Sequence, residues 1–123
     1  MAFTLIVNEG KHPERSQANP SPTMIDQAID HLRPEVNHYA ILETEPPIDK
    51  CIYIQTLIER SGSHKGLYLV EIRFTFQNDF KQYRKHIRDA SEVKRLFRMF
   101  SRGAVPNAAG WEDISRQFTA KTA

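Results

Sequence analysis

The side chains with the most chemistry to offer are basic, and they crowd together. Residues 81–102 hold Lys81, Arg84, Lys85, Arg88, Lys94, Arg95, Arg98 and Arg102 against Asp89 and Glu92, a net +6. Residues 1–80 carry seven basic and eleven acidic side chains, a net −4, so the chain is electrically polarised although its total is +2. A basic run can release counterions from a nucleic-acid backbone. It can also steer an acidic protein partner. The same residues equally suit a solvated helix face beside an edge strand, where cations discourage strand addition. The domain as a whole is not strongly basic and holds no named recognition motif. Nucleic-acid binding through Arg84, Arg88, Arg95, Arg98 and Arg102 is therefore the alternative reading.

A second group appears at alternating positions. Tyr53 and Gln55, Glu71 and Arg73, and Arg84 and His86 each lie two residues apart in apolar-rich stretches, so each pair would share one face of a strand. Glu71, Arg73 and Gln55 could form a preformed polar patch. They could also be an ordinary cross-strand charge pair, worth under about 1 kcal/mol.

Other chemistry is missing. There is no Gly-rich phosphate loop, no Gly-Lys-Ser/Thr and no metalloprotease helix motif. The five histidines, at 12, 31, 38, 64 and 86, fall at unrelated spacings and mostly in loops, so no metal role is expected. Cys51 reads as a small buried hydrophobe. A nucleophile would need a neighbouring base to lower its pKa, and no local motif supplies one. Without an acid–base or nucleophile constellation the chain is expected to bind rather than catalyse, with no cofactor.

The elements that would position these residues follow from periodicity. Phe3, Leu5 and Val7 alternate as a first strand. Residues 8–20 are polar and proline-rich, a loop or mobile arm. Ser21-Pro22 starts a helix, whose stripe is Met24, Ile25, Ala28, Ile29 and Leu32 and whose stop is Pro34. Strands are expected over 39–43, 51–59, 66–76 and roughly 80–88, the middle two as an antiparallel hairpin. On the last of these Tyr83 and Ile87 point inward, and Gln82, Arg84, His86 and Arg88 outward. Asp89 and Glu92 read as a capping box opening a second helix, with Val93, Leu96, Phe97 and Phe100 as its stripe and Gly103 as its end. A short helix to Phe118 and a frayed tail, 119–123, complete the chain.

The pattern predicts one α+β domain over residues 1–123: an antiparallel sheet of about four to five strands with two helices packed on one face. Met24, Ile29, Ile54, Val70, Ile72, Phe74, Leu96, Phe97 and Phe100 should be buried together, and Trp111 should anchor the helix–sheet junction. The opposite face should stay partly open and display Tyr53, Gln55, Glu71, Arg73, Arg84 and His86. A single cysteine excludes an internal disulfide. No apolar run reaches the roughly 20 residues of a membrane span. A cytoplasmic protein without a membrane partner is expected.

One resemblance adds to this. Asn19-Pro20 before the first helix, Tyr53-Ile54-Gln55-Thr56, Val70-Glu71-Ile72-Arg73, the helix Ser91–Gly103 with Phe97 and Phe100, and the late Trp111-Glu112 resemble small bacterial immunity-type proteins of polymorphic toxin systems. The resemblance spans roughly residues 19–112. It implies a protein that binds and neutralises a cognate toxin domain, with no catalytic residues. The basic segment 81–102 departs from the more acidic immunity proteins that mask nucleases, which places a nuclease target in doubt.

Overall fold

Strand alternation sets the architecture. The computed structural model describes residues 2–10 and 14–119. Seven antiparallel strands form one sheet in the order β2-β1-β3-β4-β5-β6-β7. They are β1 (Ala2–Glu9), β2 (Arg15–Ala18), β3 (His38–Ile48), β4 (Cys51–Ile58), β5 (Tyr68–Phe76), β6 (Asp79–Ile87) and β7 (Glu112–Asp113). The helices are α1 (Pro22–Asp30), α2 (Ala90–Ser101) and α3 (Ser115–Thr119). No described helix is long and apolar enough to cross a membrane.

The α+β class and the antiparallel sheet agree with the sequence reading. The sheet has more than the expected four to five strands because β2 and β7 were not foreseen, and β3 is longer than expected. Arg15–Ala18 is wholly exposed and polar, yet pairs with β1 from Thr4↔Ala18 to Val7↔Arg15. The segment expected as a loop over 8–20 is thus strand at 8–9 and 15–18, and 11–13 lie outside the described residues. β3 continues past Glu43 through Pro46-Pro47 after a register shift. β7 adds two residues opposite Tyr83 and Arg84.

Two connections, β3–β4 and β5–β6, are tight two-residue hairpins. Asp49 (φ 46°) and Lys50 (φ 72°) link β3 to β4, both in the left-handed region that a two-residue turn needs to match strand twist. Neither is glycine, so the turn carries strain. The carbonyl of Lys50 accepts from the Thr75 amide at 2.8 Å, and its ammonium lies 5.0 Å from the Phe76 ring centre, which holds the turn against β5.

One sheet face and two helices make the core. Leu5, Ala40, Leu42, Ile54, Val70 and Ile72 meet Ile25, Ala28 and Ile29 of α1 and Val93, Leu96, Phe97 and Phe100 of α2. Phe3 and Phe100 meet edge to face at 6.0 Å. Cys51 is fully buried, and burial pushes its thiol up to about 12. It enters the core at a register shift between Cys51 and Tyr53, which leaves Ile52 only half-buried. Met24, expected in the core, is instead 37% exposed at the first turn of α1. Phe74 and Trp111 are both half-buried and pack against the margin of the core.

The caps divide. Ser21 Oγ accepts the Met24 amide at 3.2 Å, as its sequence position implied. Asp89 makes no side-chain cap, and Glu92 pairs with Arg95 instead of closing a capping box. Glu92 gains two hydrogen bonds from a charged donor in that pairing, against the one bond from a backbone amide that a box would offer. Gly103 (φ 89°) terminates α2 by donating to the Phe100 carbonyl.

Candidate functional site

The sheet face opposite α1 and α2 carries the chemistry. Register places Tyr53, Gln55 and Leu57 of β4 opposite Arg73, Glu71 and Leu69 of β5. The last three lie opposite Gln82, Arg84 and His86 of β6 in turn. All six residues expected to bind a partner therefore share this face.

They do not act as one cluster. Three of them, Tyr53, Glu71 and Arg73, converge on Gln82, which the sequence reading placed outward but did not assign to the site, and Gln55 joins through Glu71. Gln82 is fully buried. Its Oε1 accepts from Arg73 Nε at 2.6 Å and from Tyr53 Oη at 3.1 Å. Its Nε2 donates to Glu71 Oε1 at 2.9 Å, and Gln55 Nε2 donates to the same oxygen at 2.8 Å. Its main chain is held from β7 and α3: the Gln82 amide donates to Ser115 Oγ at 2.8 Å, and the Ile114 amide donates to the Gln82 carbonyl at 2.9 Å. Glu71 and Arg73 thus do not pair directly; a neutral amide bridges them. An outward glutamine in a polar strand looks solvated from sequence, and only the crossing of α3 over β6 reveals the hub.

Aromatic rings cover Arg73. Its guanidinium carbon lies 4.3 Å from the Phe80 ring centre, 4.9 Å from that of Phe118 and 5.7 Å from that of Tyr53. Phe80 and Phe118 meet edge to face at 5.9 Å. A delocalised guanidinium stacks well on such rings. Burial raises the Tyr53 hydroxyl above its ordinary value.

Arg84 and His86 have other partners. Arg84 Nε and Nη2 each donate to the Glu112 carboxylate at 3.0 Å, which raises the guanidinium pKa and lowers that of Glu112. His86 Nε2 lies 3.2 Å from Glu59 Oε2, and its ring stacks on that of His64 with centres 3.8 Å apart. Two of the five scattered histidines therefore meet across a loop closure that spacing along the chain cannot show.

The basic segment is less cationic in space than in sequence. Lys94 pairs with Asp30, Arg98 with Asp26, Lys81 with Asp113, Arg84 with Glu112 and Arg95 with Glu92. Acidic residues from α1 and β7 thus neutralise four of its eight cations, and Glu92 of α2 itself pairs with a fifth. Arg88 and Arg102 stand exposed.

The open face itself carries more acid than base. Its strands carry Glu43, Glu71 and Glu112 against Arg73 and Arg84, and Glu59, Arg60 and Lys65 lie at one rim; of the strand carboxylates, Glu71 and Glu112 are hydrogen-bonded within the face. Beside the polar network lies a shallow depression of about 200 Å³, lined by Tyr39, Ile41, Gln55, Leu57, Leu69 and Glu71. Comparison of the chain with protein-family models, curated proteins and solved structures returned no significant match.

Proposed function

We propose that the protein is a non-enzymatic binding protein of the immunity type, which neutralises a toxin domain by docking it on the open sheet face. The observation that carries the reading is the depression floored by Ile41, Leu57 and Leu69 and edged by Glu71 and Gln55. Half-buried aliphatic side chains supply area that favours water exclusion. The adjoining network holds Tyr53, Gln55 and Glu71 in fixed positions, so docking orders few side chains. The surplus of carboxylates selects a partner whose contact surface is basic, and charge complementarity speeds its approach. Pairing of the α2 cations with α1 acids favours this face over the basic segment.

Co-expression with the product of a neighbouring toxin gene tests the reading. Protection of the cell and co-purification of the pair are expected. A harmless neighbour, or a toxin that forms no complex, overturns it.

A further inference from the structure

The β4–β5 connection folds back on itself. The Glu59 amide donates to the Leu67 carbonyl at 2.9 Å, and the Gly66 amide returns the bond to the Glu59 carbonyl at 2.9 Å. This closure carries His64 over β6, where its ring lies against that of His86. The ligand atoms of Glu59, His64 and His86 all fall within 4.8 Å of one another. Two imidazole nitrogens and one carboxylate oxygen are a donor set that zinc accepts, with a fourth position left for water.

We propose that Glu59, His64 and His86 bind a divalent transition-metal ion, with Zn²⁺ the best fit to the donors.

The surrounding charge favours a cation. Glu112 stands near both histidines, and Glu59 Oε2 lies 3.2 Å from His86 Nε2. Arg84 spends its charge on Glu112 through two hydrogen bonds. Two carboxylates, Glu59 and Glu112, thus lie about the histidines, against the guanidinium of Arg84 that is already paired. Arg60 and Lys65 flank it but are exposed.

Capture requires one movement. The imidazole planes are within 4° of parallel, so their in-plane lone pairs cannot meet at one ion. Ligand bonds of about 2.0–2.1 Å put tetrahedral donors about 3.3 Å apart, closer than the present limit of 4.8 Å. His64 can supply the adjustment. It is exposed, and its described side-chain hydrogen-bond contact is a long one of 3.5 Å to Ser63 Oγ. Gly62 and Gly66 on either side have nothing within 4 Å of a would-be Cβ. His86 and Glu59, more enclosed and already 3.2 Å apart, form the fixed half of the site.

The inference is independent of the toxin-binding reading. Tag-free protein, stripped with a chelator and exchanged into metal-free buffer, is titrated with Zn²⁺ by calorimetry and with Co²⁺ by visible absorption. One equivalent should bind in the micromolar range, and Co²⁺ should give the intense d–d bands of a tetrahedral site. His64→Ala should weaken binding at least about tenfold, the lower bound for disturbing even an outer-shell partner. His31→Ala should leave it unchanged. His86→Ala removes a contact of the fold, so His64→Ala, on an exposed turn, carries the decision. No saturable binding at millimolar Zn²⁺, or binding that His64→Ala leaves intact, overturns the proposal.

Discussion

Arg73 and Glu71 are joined through the side chain of Gln82, which accepts from the first at 2.6 Å and donates to the second at 2.9 Å. The primary amide offers an acceptor to the cation and a donor to the anion at once. Gln82→Ala would leave both charged groups half-buried without these bonds. It should destabilise the fold by about 2–3 kcal/mol, the range for orphaning buried polar groups. Gln82→Glu should also destabilise, because it sets a second carboxylate against Glu71, and its deficit should shrink as acid protonates the pair. Urea melts of both variants at two pH values check this. Wild-type stability in Gln82→Ala would contradict the hub.

Phe118 should hold α3 down rather than the whole fold. It is 36% exposed and reaches only Arg73 and Phe80 among the described ring contacts. Phe118→Ala should cost about 1 kcal/mol, a cation–π contact near the surface. The Ile114 amide, which donates to the Gln82 carbonyl, should exchange faster by hydrogen–deuterium measurement while the Val70 and Ile72 amides do not. Equal acceleration throughout would make α3 part of the global unit.

Phe97 and Met24 separate a sound reading of the core from an unsound one. Phe97 is fully buried, and Phe97→Ala should cost about 3–5 kcal/mol. Met24 shares the apolar stripe of α1 in sequence but is 37% exposed. Met24→Ala should change stability by no more than about 0.5 kcal/mol, as surface substitutions do. Thermal melts of the two variants measure the contrast.

These cases show what the chain makes legible. Alternation located β4, β5 and β6 and assigned Tyr53, Glu71, Arg73 and Arg84 to one face, because the side-chain period of a strand is fixed. The α2 stripe was readable for the same reason at a period of 3.6. β2 was not readable, since Arg15–Ala18 buries nothing and is held by ladder bonds to β1. Nor was the meeting of His64 with His86, which depends on how a loop closes. The pairing of Lys94 and Arg98 with Asp30 and Asp26 depends on two helices packing side by side, and so the basic pole read along the chain is diluted in space.

Acid should open the β7–α3 corner. The Ser115 hydroxyl, then its amide, and more weakly Lys81 hold the Asp113 carboxyl below its ordinary 3.8. Arg84 likewise holds Glu112 below 4.5. A carboxyl with a depressed folded-state pKa stabilises the fold fully above its unfolded value and loses that contribution as pH falls through the folded value. Both groups are exposed, so the effect is small and sensitive to salt. Fluorescence of Trp111, the single tryptophan, should change as pH falls below 4.5 in the wild type, where Glu112 starts to lose its contribution, and the part of the change below 3.8 should be smaller in Asp113→Ala. Identical acid profiles would remove Asp113 from the account.

The docking face makes the sharpest demand. Leu69 lies between Leu57 on β4 and His86 on β6, at the centre of the open face. A lysine there would place a cation where a basic toxin surface is proposed to sit, and would remove part of the apolar floor. Leu69→Lys should weaken binding of the co-purifying toxin domain by about 2 kcal/mol or more, the range of a central interface residue. It should leave the melting temperature nearly unchanged, since Leu69 is half-buried outside the core and neighbouring Glu71 and Glu59 can accommodate the charge. Arg73→Ala should behave differently, because its guanidinium is already covered by Phe80 and Phe118 and bound to Gln82. Its first effect falls on stability, and any loss of affinity follows from slackening of Tyr53 and Glu71. Arg102→Ala, on the far side at the end of α2, should alter neither. A folded Leu69→Lys variant that binds the toxin as well as the wild type would move the docking surface away from the sheet, and the α2 side would then be the face to test.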